Sequence, residues 1–182
     1  MITVMHQAVL DFWFKSIEPS SWWKKDADFD ARIAKEFGAL HAQAVNCELY
    51  AWRSTAQGRL AEIIVLDQFS RNVFRDTPQA FAADNLALAL AQEAVRVNAD
   101  KALTPIECSF LYMPYMHSES ALIHELAVVL YTKNGVQSNL DFELKHKEII
   151  DRFGRYPHRN SILDRASTEE ELAFLQQPGA GF

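Results

Sequence analysis

Apolar residues in this chain recur every three or four positions, and nowhere do they alternate with polar ones over the length of a strand. Phe29, Ile33, Phe37 and Leu40 mark one helical face, and Leu60, Ile63 and Ile64 mark another. With no period-two stretch bounded by turn residues, no strand is expected, and the spacing predicts an all-α fold. Proline, glycine and hydroxyl residues then divide the chain. Helices are expected over about residues 5–15 and 28–46, and from Gln57-Gly58 toward Phe69 and Val73, with 19–25 as a turn that carries Trp22 and Trp23. Thr77-Pro78 and Thr104-Pro105 each place a hydroxyl before a proline at the first helical position. They predict helices over about 78–98 and 105–113, the second interrupted by Pro114. Ser118 is expected to open a helix that stops at Asn134-Gly135, and Asn139 one that stops at Phe153-Gly154. Ser167 with Glu170, and Thr168 with Glu171, have the spacing of capping boxes. The sum is about eight helices in a single domain over residues 1–182, with no internal linker and no repeat of fixed period.

Composition narrows the class further. With 49% hydrophobic and 12% aromatic residues over 182 positions, the chain buries enough apolar surface to offset its conformational entropy, so intrinsic disorder is excluded. The longest apolar runs, 86–91 and 126–131, reach six residues, far short of the ~18–20 that span a bilayer. Residues 1–10 carry His6 and Gln7 and no basic start, unlike a secretory leader. Two cysteines, Cys47 and Cys108, are too few for a disulfide framework and fit a reducing cytoplasm, most simply as small apolar thiols in helical packing. A net charge of −6 argues against nucleic acid as a partner.

Several chemistries fail on spacing. His124-Glu125 begins a zinc-protease motif, but Val128 occupies the place of its second histidine. Glu143 and His146 match one half of a di-iron motif that needs two such pairs. No phosphate loop, nucleophile elbow or Cys-x-x-Cys is present, so no cofactor or metal is implied. His117-Ser118-Glu119 contains the letters of a triad, yet adjacent side chains diverge and cannot relay to one another.

Three constellations remain. In Leu66-Asp67-Gln68-Phe69-Ser70-Arg71-Asn72-Val73-Phe74-Arg75, Asp67, Arg71 and Arg75 follow Ile63 in one i,i+4 row. Asp67 before Arg71 favours an ion pair that locks the helix end; alternatively, Arg71 and Arg75 face a cleft and hold an anion. Around Pro114, the segment Tyr112-Met113-Pro114-Tyr115-Met116-His117-Ser118-Glu119 breaks a helix and frees carbonyls near Leu111, and such breaks often host sites. Residues 152–159 carry three arginines and no acid within an acidic chain, which suits either an anion site or an ion-pair hub and is too short for a nucleic-acid stripe. The four tryptophans, Trp13, Trp22, Trp23 and Trp52, all fall in the first third of the chain, as core anchors or as a stacking platform.

Together with Val9-Leu10-Asp11-Phe12-Trp13-Phe14, Trp22-Trp23-Lys24-Lys25-Asp26 and Phe29-Asp30, these segments resemble the bacterial domain-of-unknown-function family numbered 924. Further carriers of the resemblance are Ile149-Ile150-Asp151-Arg152-Phe153-Gly154-Arg155-Tyr156-Pro157-His158-Arg159-Asn160 and Ser167-Thr168-Glu169-Glu170 with Phe174-Leu175. The resemblance runs from about residue 9 to the C-terminus. It implies a tetratricopeptide-like stack of antiparallel helix pairs, and it implies no activity. The family's polar motif positions fall on Asp67, Gln68, Arg71, Asn72, His117, Ser118, Glu119, Arg155, His158, Arg159 and Asn160. Two positions depart from it: Asp164 stands where a glycine is usual, and Ser120 where an acid commonly follows Glu119.

Three uses of these residues are open. One is a groove, lined by Asp67, Arg71, Asn72, Arg75, His117, Glu119, Arg155, His158 and Arg159, that binds an anionic small molecule or acidic peptide. Another is a hydrolase or acid–base enzyme, with His117 or His158 oriented by Asp67 or Glu119. The third is an ion-pair network that only fixes helix register.

Overall fold

The computed structural model describes residues 2–181, with side chains from His6 onward. The described residues form α-helices, 3-10 turns and π turns, and no strand. Helix α1 (Ile2–Asp11) continues into a π turn at Phe12–Ser16, and a 3-10 turn at Pro19–Trp23 follows. Helix α2 (Ala27–Val45) begins where the Asp26 carboxylate accepts from the backbone N–H groups of Asp28 and Phe29 at 3.0 Å. Helix α3 (Ala56–Ile64), capped by Thr55, runs without a break through a π turn at Val65–Phe69 into α4 (Ser70–Val73). Gly58 in its first turn has no substitute, because a Cβ there would lie 2.0 Å from the Trp52 carbonyl oxygen.

Helix α5 (Asp84–Arg96) is shorter than the spacing predicts. Residues 78–80 form only a 3-10 turn, and the Thr77 hydroxyl donates back to the Phe74 carbonyl instead of capping forward. At Thr104 the cap does form, with Glu107 reaching back to complete a capping box for α6 (Pro105–Leu111). Pro114 does not end a helix. It sits in the first turn of α7 (Met113–Met116), where its missing N–H costs nothing, and the break falls at Tyr112.

Helices α8 (Ala121–Asn134) and α9 (Gln137–Phe153) stop at Gly135 and Gly154, both in the left-handed region at φ 76° and 68°. Neither starts at its expected residue: Ser118 lies in the loop before α8, and α9 begins two residues ahead of Asn139. Helix α10 (Glu169–Leu175) uses the second of the two candidate capping boxes, Thr168 with Glu171. Glu170 instead receives a hydrogen bond from Arg152 at 2.9 Å.

The main core gathers Trp13, Ile33, Leu60, Ile63, Ile64, Leu66, Phe69 and Leu111, all essentially inaccessible. Each large side chain so buried contributes roughly 1.5–3 kcal/mol. Trp13 and Trp52 are core anchors, Trp22 donates its indole N–H to the Trp13 carbonyl at 2.9 Å, and Trp23 is exposed. Cys108 is buried and donates to the Asp100 carbonyl at 3.3 Å; Cys47 is exposed at a turn with φ 60° and takes no part in helical packing. A smaller cluster of Ile149, Ile150 and Tyr156, backed by Phe153 and Phe174, seats the loop after α9. Among the described residues no helix is long and apolar enough to cross a membrane.

Candidate functional site

Asp67 sits in the middle of the π turn that joins α3 to α4, a widened turn of the kind often found at functional sites. Its carboxylate is fully buried and takes three donors: His117 Nδ1 at 2.7 Å, Gln68 Nε2 at 2.6 Å and Arg71 Nη1 at 3.3 Å. Burial opposes the charged form, but the positive charge and hydrogen bonds around it prevail and hold the carboxyl well below the usual carboxylate range. Arg71 also donates to the Asp67 carbonyl at 3.0 Å and spans both oxygens of Asp84 at 2.8 and 2.9 Å. Asp84 is the first residue of α5, where the positive end of the helix favours a carboxylate.

His117 directly follows α7, and the break there leaves carbonyls to be satisfied. Near Leu111 the Ser109 carbonyl takes the Tyr131 hydroxyl at 3.1 Å, and further carbonyls are freed at Met116, His117 and Ser118. Tyr156 Oη donates to Met116, Arg159 Nη2 to His117 at 3.0 Å, and His124 Nε2 lies 2.8 Å from the Ser118 oxygen. Because Asp67 accepts at Nδ1, the network assigns the His117 proton to that nitrogen and leaves Nε2 as an acceptor. Burial, reinforced by Arg71, pushes the His117 pKa below its ordinary 6.5 despite the neighbouring carboxylate. Nε2 has no hydrogen-bond partner among the described residues, and His117 lines a cleft of about 260 Å³.

Arg159 lines the same cleft. Its guanidinium lies between two rings, 4.7 Å from the Phe81 centroid and 4.5 Å from that of Tyr156. Asp84 is 3.6 Å from Nη1, an ion pair without a hydrogen bond, and Nε is buried with no partner. Burial, with Arg71 close by, lowers the Arg159 pKa. Glu119 closes the third side. It accepts from Arg165 through both oxygens, at 2.7 and 2.9 Å, and from the Tyr156 N–H at 2.7 Å. Burial resists its ionisation, but Arg165 and that backbone N–H prevail and lower its pKa. Phe81, Leu88, Pro114 and Leu163 supply apolar walls.

Asp67, Arg71, His117, Glu119 and Arg159 are thus brought together, from segments up to 92 positions apart in the sequence. The other candidates lie elsewhere. Helix α4 ends at Val73, so Arg75 leaves the row of Asp67 and Arg71; with Asn72 it grips Asp30 at the start of α2. Arg155 clasps Glu171 of α10 at 2.7 and 2.8 Å and the Ala166 carbonyl at 2.8 Å. His158 lines a second cavity against the C-terminal segment, with Ser161, Leu175 and Gly179, and burial lowers its pKa to about 4. Among the described residues no group of histidines, cysteines and carboxylates could hold a metal ion.

Sequence reasoning missed Asp84, Phe81 and Arg165. Asp84 follows a 3-10 turn that the expected long helix had absorbed, and no spacing rule links it to Arg71. Arg165 stands beside Asp164, one of the two departures from the family pattern. Asp164 adopts φ 53°, the conformation a glycine would ease, and its neighbour Arg165 turns back to Glu119. It missed as well a fully buried pair behind the loop, His124 Nδ1 with Glu143 Oε1 at 2.6 Å.

Fold and cleft define an all-helical protein whose polar centre is three carboxylates and three arginines around one histidine. The chain belongs to the family described as bacterial protein of unknown function (DUF924), whose profile matches residues 9–179. It is similar throughout to a solved protein of unknown function from Agrobacterium tumefaciens, ATU0120. The two are 37% identical, with a TM-score of 0.92 over 97% of this chain and 99% of that one. A search of curated proteins gives no match.

Proposed function

We propose that the cleft binds a small molecule through an acidic group held between His117 and Arg159. The observation that carries this reading is spare hydrogen-bonding capacity at a preorganised place. Arg71 and Arg165 each have both terminal nitrogens held by a carboxylate, whereas Arg159 Nη1 makes no hydrogen bond and His117 Nε2 has no partner among the described residues. Stacking on Phe81 and Tyr156 fixes the guanidinium before any ligand arrives, which lowers the entropic cost of binding. The helical stack implied by the family resemblance suits such a groove, because the ends of packed helices leave concave surfaces.

Titrating the protein with small carboxylates and phosphates, followed by thermal shift and calorimetry, tests the reading. An acid that binds is expected to raise the melting temperature of the wild type and to lose at least tenfold in affinity with Arg159→Gln. If no acid binds, or if Arg159→Gln leaves affinity unchanged, the cleft is an ion-pair network and nothing more.

A second reading rests on the Asp67–His117 pair itself. A carboxylate that fixes the proton on Nδ1 and turns Nε2 into a cleft is the arrangement of a general base. Turnover of a bound acid or ester, abolished by His117→Asn while binding persists, would favour catalysis over binding alone.

A further inference from the structure

The cleft has a feature that narrows its ligand. The charged groups that line it, or pair with those that do, are Asp67 and Arg71 from the α3–α4 helix, Asp84 from α5, Glu119 from the loop before α8, and Arg159 and Arg165 from the segment after α9. Their charges cancel while His117 is neutral. A bound anion therefore leaves a partly buried cluster with one unbalanced negative charge, a costly state away from water. His117 Nε2 is the group placed to correct it. As a bare acceptor, Nε2 repels a carboxylate oxygen; once protonated, it donates to one. Its Nδ1–H already points at Asp67, so the imidazolium that forms has a carboxylate waiting on its other side.

We propose that the cleft takes a small monocarboxylic acid with an apolar body, and that binding is coupled to uptake of one proton shared between His117 Nε2 and the ligand carboxylate. The inference rests on the reading of the cleft as an acid-binding site. Only one charge can be balanced in this way, because His117 is the one histidine among the described residues that line the cleft, so a dicarboxylate or a phosphate dianion is disfavoured. Phe81, Leu88, Pro114 and Leu163 receive the apolar part. At about 260 Å³ the space lies just under the ~300 Å³ at which ligand pockets commonly begin, so the body is a single ring or a short chain.

Other histidines lie nearby without lining the cleft; His124 is fully buried, with both ring nitrogens held by Glu143 and the Ser118 carbonyl. His158, on the loop after α9, and His146, on α9, are held by burial near pKa 4 and 3, so neither titrates close to neutrality. His117 is itself neutral above its ordinary 6.5 in the free protein. The free cleft thus lacks the proton that the complex holds, and linkage makes affinity fall by up to tenfold for each pH unit above ~6.5.

The test is calorimetric titration with phenylacetate and hexanoate, and with phthalate and phenyl phosphate as dianionic probes. Imidazole and Tris buffers at pH 7.5 avoid competing anions, and the difference between heats in the two reads proton uptake directly. The expected result is binding of a monocarboxylate with uptake close to one proton. His117→Asn, whose amide still donates to Asp67 but lacks Nε2, should bind more weakly and without uptake. Asp84→Asn, which gives the cluster one excess positive charge, should bind more tightly with less uptake. Binding of a monocarboxylate with no proton uptake, or preference for the dianions, overturns the inference and leaves acid binding intact. Failure of all four probes overturns both.

Discussion

Arg155 and Arg159 stand four residues apart in one loop and are put to opposite uses. Arg155 meets both oxygens of Glu171 and a backbone carbonyl, so its hydrogen-bonding edge is spent on holding α10 in place. Arg159 meets one carbonyl, two aromatic faces and, at 3.6 Å without a hydrogen bond, the Asp84 carboxylate, which fix its position but leave donors unused. Arg75, with both contacts on Asp30, belongs with Arg155. A count of arginines does not separate these cases. What separates them is whether a carboxylate of the same chain already occupies the fork, and stacking positions a guanidinium without occupying it.

Substitutions that cross this line should have different readouts. The largest loss of stability is expected for Asp67→Ala, which removes a fully buried carboxylate from half-buried Arg71 and deletes the His117 contact. A cost of about 3–5 kcal/mol is the scale for breaking a buried pair, measurable as a shift of the urea midpoint. Arg75→Gln should cost less, on the order of 1–3 kcal/mol for two charge-assisted hydrogen bonds, and should leave any acid binding at the cleft unchanged. A binding defect in that variant would show that the two regions are coupled.

Acidification separates them by pH. His158 and His146 have folded pKa values depressed to about 4 and 3, so below pH 6.5 the unfolded chain takes up protons first. The folding equilibrium should then weaken by up to tenfold per histidine for each pH unit down to about 4. Below that the carboxylates follow. Glu171 is held at about 2 by Arg155, and Asp67 and Glu119 are also depressed, so the stability they supply is present above pH ~4 and lost as pH falls further. Urea midpoints at pH 7, 5 and 3 check this, and a flat profile between 7 and 5 would contradict the histidine part. The smallest effect is expected for Asp164→Gly. Relief of a left-handed residue at φ 53° should stabilise by about 0.5 kcal/mol, read as a small rise in melting temperature.

Much of the helical frame was legible from local rules. Gly135 and Gly154 stop helices because the left-handed turn costs glycine nothing, and Thr104 and Thr168 start them because a hydroxyl and a glutamate three residues on satisfy the first N–H groups. The same rules overreached at 78–98, where a 3-10 turn precedes α5, and at Ser118, whose carbonyl is bound by His124 before any helix begins. The Asp67–Arg71 pair was legible because it lies within one helix. Asp84 with Arg71, Glu119 with Arg165 and His124 with Glu143 were not, since side chains that meet only after helices pack carry no sequence spacing to betray them.

By itself the sequence determined that the chain is helical, where most of its helices end, and where its three polar constellations lie. Periodicity and capping are local, acting over three or four residues. Tertiary structure alone decided that Asp84, His117, Glu119 and Arg159 line one cleft with Asp67 buried against His117, while Asn72, Arg75 and Arg155 clamp helices and His158 lines a second cavity. That sorting depends on which carboxylate reaches each donor once the helices are packed.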